Sequence, residues 1–119
     1  MKKVLVLFTL VIALTAFTLF PHNLVGTWSS QGPGSSKVIL DFRADGKFKV
    51  TADGALENQG TYSFKQDTFI MYDANCGMNT PGKYKITFFT PDSATFTLIT
   101  DSCKDRSGEI DGGSMKRIK

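Results

Sequence analysis

The sequence predicts an all-β fold, an eight-stranded antiparallel up-and-down barrel with one tight end and one loop-rich end. Three observations carry this reading. Eight short runs alternate apolar and polar residues with a period of two. The gaps between the runs are alternately long and short. No stretch after residue 20 has the spacing of an amphipathic helix, apart from one helical turn at Lys104–Ile110 inside the longest gap.

The chain opens with Lys2 and Lys3, followed by Val4 to Phe20, which is apolar apart from Thr9, Thr15 and Thr18. Residues 1–20 therefore read as an export signal, with the domain at residues 21–119. The alternative is a retained anchor, although a seventeen-residue helix of roughly 25 Å is short for a bilayer core of about 30 Å. This segment holds no cysteine, which excludes a lipid-modified one. Export places the protein in the periplasm or outside the cell. A membrane is a partner only if residues 4–20 are retained.

The strands follow in order at Leu24–Ser29, Lys37–Phe42, Lys47–Thr51, Thr61–Lys65, Thr68–Tyr72, Lys83–Phe89, Ala94–Thr100 and Ser114–Ile118. Arg43-Ala44-Asp45-Gly46, Gln66-Asp67 and Pro91-Asp92-Ser93 have hairpin lengths, with Asp-Gly supplying positive φ. Ser30–Ser36 (with Gly32-Pro33-Gly34), Ala52–Gly60, Asp73–Gly82 and Asp101–Gly113 are longer. Successive turns of a meander lie at alternate ends, so the short turns form a base and the long loops a mouth. Alternation puts Val38, Leu40 and Phe42 on one face, and likewise Phe48 and Val50, Tyr62 and Phe64, Phe69 and Met71, Tyr84, Ile86 and Phe88, and Phe96 and Leu98. Met115 and Arg117 share a face of the last strand.

Cys76 and Cys103 are the only cysteines. In an exported chain an even count predicts a disulfide, the rival being two free thiols. Cys76 follows strand five and Cys103 follows strand seven, so the meander brings both to the mouth rim. Removing Lys2 and Lys3 leaves twelve basic residues against eleven acidic ones. This near balance, without a basic patch interleaved with aromatics, gives no reason to expect nucleic acid as a partner. The expected state is a monomer.

Leu24-Val25-Gly26-Thr27-Trp28 resembles the Gly-x-Trp signature of the lipocalin and calycin barrels. Leu40-Asp41-Phe42 with Asp45-Gly46-Lys47-Phe48, Gly60-Thr61-Tyr62, and Phe96-Thr97-Leu98 with Asp101-Ser102-Cys103-Lys104-Asp105-Arg106 are similar to segments of small bacterial lipocalin-like exported proteins. Where those proteins often carry a second Trp near the chain end, this sequence has Met115. The resemblance implies an antiparallel barrel that holds a small apolar ligand. It also implies a basic residue of the last strand, here Arg117, packing across Trp28 to close the base beside Gly26. Trp28 as a ligand platform is the alternative role.

Catalysis has little in the sequence to support it. The single histidine, His22, precedes the first strand, so an imidazole-based triad within the barrel has no candidate, and a Cys/His zinc site fails on ligand count. Asp73, Asp101, Asp105, Glu109 and Asp111 are expected as solvated rim charge rather than as a calcium site or a glycosidase pair. No metal and no cofactor is expected, and the chain is expected not to be an enzyme. The favoured function is a carrier or sensor of a small hydrophobic ligand, bound by the inward residues nearest the mouth: Val38, Val50, Tyr62, Met71, Tyr84, Leu98 and Met115. The alternative is a filled barrel acting on a protein through its mouth loops, as an inhibitor-type envelope module.

Overall fold

The structure is a computed structural model that describes residues 22–31 and 36–119. The leader at residues 1–20 and the Gly32-Pro33-Gly34 turn lie outside the described residues. Eight strands run in chain order: β1 (Gly26–Gln31), β2 (Lys37–Phe42), β3 (Lys47–Ala52), β4 (Ala55–Lys65), β5 (Thr68–Asp73), β6 (Gly77–Thr90), β7 (Ser93–Asp101) and β8 (Ser114–Arg117). Among the described residues there is one helix, α1 (Lys104–Ile110), between β7 and β8. Each strand pairs antiparallel with its sequence neighbours, and β8 returns to β1 to close the barrel.

The base is built from tight turns. Gln66 and Asp67 both take positive φ, at 49° and 69°, a turn whose twist matches that of the flanking strands. The Arg43–Gly46 turn closes with the Gly46 amide donating to the Arg43 carbonyl at 3.1 Å. Pro91 and Asp92 make the third.

Two mouth loops expected to be long are short instead. Asp53 and Gly54, with φ of 50° and 86°, form a second positive-φ turn, and β4 begins at Ala55 rather than at Thr61. The ladder of Ala52 with Ala55 and of Thr51 with Leu56 carries this extension past a register shift at Val50/Thr51. Likewise β6 begins at Gly77, directly after an Ala74–Cys76 turn. Its first residues, through Pro81, pass a register irregularity opposite Met71/Asp73, and this is where a residue without an amide proton can sit. The long connections that remain are the one from β1 to β2 and the one from β7 through α1 to β8.

At the base, Trp28 is fully buried and pairs in register with Arg117, whose guanidinium lies 4.3 Å from the ring centre. The indole N–H donates to the Leu24 carbonyl at 2.9 Å. Arg117 donates to the carbonyls of Val25, Asn23 and Pro91 and to the Asp92 carboxylate, and so ties the chain's entry to the β6–β7 turn and the last strand. Gly26 has φ of 139°, and a side chain there would meet the Lys119 carbonyl at 2.7 Å as well as the Arg117 guanidinium at 2.6 Å, which is why glycine precedes this tryptophan by two positions. His22 stacks on Phe88 beneath this layer, with ring centres 4.6 Å apart. The core runs upward through Phe42, Phe48, Phe69, Met71, Tyr84, Ile86, Ala94, Phe96 and Met115.

Candidate functional site

The upper half of the barrel is not filled. A cavity of about 620 Å³ opens at the mouth and reaches down to Phe42, Phe48, Phe69 and Phe96. Phe42 meets Phe69 edge to face with ring centres 5.7 Å apart, and Phe69 meets Phe96 at 5.7 Å in the same manner. Above this aromatic floor the wall is Val38, Leu40, Val50, Ala52, Met71 and Ile110. The volume and the apolar wall fall within the range of small-molecule sites. The floor exists because β2, β3 and β5 each place a phenylalanine in an inward position close to the base turns, while the residues nearer the mouth are smaller.

The rim is polar. Gln31, Glu57, Asn58, Asn75, Asp105 and Glu109 border the opening together with the Cys76–Cys103 disulfide. Asn75 braces the β5–β6 turn to β4 by donating to the Glu57 carbonyl at 3.0 Å.

Beside the disulfide lies a buried ionic lock. Arg106, 5% exposed, reaches from α1 between two buried carboxylates. It donates to Asp73 Oδ2 at 3.1 Å, to Asp101 at 2.7 and 2.8 Å, and to the Thr80 carbonyl at 2.9 Å. The remaining acceptors of the two carboxylates are also used. Asp73 accepts from the Cys76 amide at 2.8 Å and Asp101 from the Cys103 amide at 2.9 Å. The Tyr84 hydroxyl donates to Asp101 Oδ2 at 2.5 Å. Each half of the disulfide is thus capped by one aspartate, and Arg106 joins the aspartates. A side chain at Gly82 would come within 2.7 Å of Asp101 Oδ2, so the lock requires a bare backbone there.

Burial pushes the Asp101 carboxyl up, but the bonds from Arg106, Tyr84 and the Cys103 amide outweigh it and leave it below the ordinary aspartate value. Burial, and then the bond to Asp101, raise the Tyr84 phenol well above its usual range. The hydrogen bond to Asp101 raises Arg106 further, against burial and with help from Asp73. The guanidinium is therefore a permanent cation whose charge is already taken up.

No family model, no curated protein and no solved structure matches the chain.

Of the residues expected to form the site, Val38, Val50 and Met71 line the cavity. Tyr62 stands at the base instead: its amide donates to the Gly46 carbonyl at 2.8 Å and its hydroxyl to the Arg43 carbonyl at 2.7 Å. Counting from the true start of β4 at Ala55 moves it six residues further from the mouth than counting from Thr61. Tyr84 is fully buried with its hydroxyl in the lock. Leu98 is 37% exposed and does not line the cavity: it pairs with Tyr84 next to the irregularity at Lys83/Tyr84, and its amide donates to the Asp111 carboxylate at 2.9 Å. Met115 is buried in the core and borders a separate outer groove between β1, β7 and β8.

Two of the five carboxylates expected as solvated rim charge, Asp73 and Asp101, have fully buried side chains. Their lock was missed in the sequence, although the spacings Asp73-x-x-Cys76 and Asp101-x-Cys103-x-x-Arg106 are its signal: an aspartate two or three residues before a cysteine can accept that cysteine's amide proton. Among the described residues no cluster of histidine, cysteine and carboxylate side chains could hold a metal ion.

Proposed function

We propose that the protein is a non-catalytic binder of a small apolar ligand, held in the mouth cavity of the barrel, in the manner of the lipocalin-like proteins that its Gly26-Thr27-Trp28 and Phe96–Arg106 segments resemble. One observation carries this reading: a 620 Å³ apolar-walled space opens at the end of the barrel opposite the Trp28–Arg117 closure. The base is sealed and the mouth is held in shape, so a ligand has one way in. The disulfide supports an exported protein working in an oxidising compartment, periplasmic or extracellular.

The test is a fluorescence titration with N-phenyl-1-naphthylamine, an uncharged probe that brightens in apolar surroundings. The folded protein should bind it saturably with one site. Val50→Trp should abolish binding by filling the upper cavity. Absence of binding by the wild type, with a stability loss of about 1–3 kcal/mol in Val50→Trp, would mean a filled barrel. Function would then pass to the mouth loops and a protein partner.

A further inference from the structure

The charges around the cavity narrow the ligand class, an inference that rests on the reading of the cavity as a binding site. Three carboxylates border the opening: Glu57 on β4, and Asp105 and Glu109 one turn apart on α1. All three are exposed, and none forms an ion pair among the described residues. Among the described residues, the only cation in the cavity wall is Arg106, whose charge is taken up by Asp73 and Asp101. Lys37 and Lys104 lie at the same end of the barrel but outside the cavity lining.

Phe42, Phe48, Phe69 and Phe96 line the closed end of the cavity, away from the rim, and offer apolar burial to the body of a ligand. An anionic ligand would face unneutralised rim carboxylates, with no free cation in the cavity lining among the described residues. A neutral one would gain only apolar burial. A cationic one gains that burial and the rim field together.

We propose that the ligand is an amphiphilic cation: an amine or quaternary ammonium head held at the Glu57, Asp105 and Glu109 rim, with an apolar body lying between Val38, Val50 and Met71.

Three probes of equal chain length separate the possibilities: decyltrimethylammonium, decanol and decanoate, each well below micelle formation, competing with N-phenyl-1-naphthylamine on the oxidised protein. Decyltrimethylammonium should bind about 3- to 10-fold more tightly than decanol, and decanoate most weakly, since exposed charges each contribute modestly. Raising the salt from 20 to 500 mM should narrow the gap through screening at a Debye length that falls to roughly 4 Å. The triple variant Glu57→Gln, Asp105→Asn, Glu109→Gln should bind all three probes alike. These side chains are exposed, so the variant should fold, and its retained affinity for decanol reports an intact cavity. Equal affinities in the wild type, or a preference for decanoate, would overturn the cationic assignment and leave the cavity standing. Failure of every probe, N-phenyl-1-naphthylamine included, would overturn the cavity itself.

Discussion

Arg106 is the residue on which the mouth depends. It is buried against two carboxylates, and removing it would leave both without their counter-charge in a low-dielectric site. Deleting one partner of such a cluster costs about 3–5 kcal/mol, so Arg106→Met should lower the urea midpoint by a corresponding amount. The pH dependence follows from the same contacts. Asp101 titrates below its unfolded value of about 3.9, so its contribution is complete above that pH and is lost as the pH falls through the folded value. Asp101→Asn should therefore show a shallower loss of stability between pH 5 and pH 2 than the wild type. Tyr84 shifts the other way: its contribution is complete below about pH 10 and is lost above it, and Tyr84→Phe should flatten the alkaline limb of the stability profile. The inward identity of Val38, Val50 and Met71 was legible from period-two alternation. The burial of Asp73 and Asp101 was not, because a carboxylate's default is solvent and only the three-dimensional approach of Arg106 from α1 reverses it.

At the scale of elements, the disulfide joins the β5–β6 turn to the residue just before α1 and closes a loop with a sequence separation of 27. The chain-entropy estimate for such a loop is about 3.5 kcal/mol. Reduction should lower the unfolding free energy by about 2–4 kcal/mol, read from denaturation with and without reductant. The opposite end is tied by Arg117. Arg117→Ala should destabilise the barrel and shift Trp28 emission to the red, because it removes the guanidinium from the indole face and from three carbonyls around it. The order and pairing of the strands, and the helical turn at Lys104–Ile110, were legible because hydrophobic period and turn chemistry agree there. The early starts of β4 and β6 were not. Ala55-Leu56-Glu57-Asn58-Gln59 has little intrinsic strand preference and is held by pairing with β3. The segment from Gly77 to Pro81 reads as a loop because it carries both glycine and proline.

For the whole molecule, a meander of eight strands with unequal ends produces a sealed base and an open mouth. The alternation of turn lengths already implied that asymmetry. Whether the interior holds a cavity was not legible, since a barrel of this size can be filled by its own side chains and the answer depends on how far up the floor phenylalanines reach. The most direct test of a ligand site at the mouth is a methyl-resolved NMR titration of the oxidised protein with N-phenyl-1-naphthylamine. Saturable shifts should appear at the methyls of Val38, Leu40, Val50, Met71 and Ile110, which line the cavity, with little change at Leu24 and Ile86 near the base. Shifts confined to Met115 and the outer groove, or no shifts at all, would contradict the account.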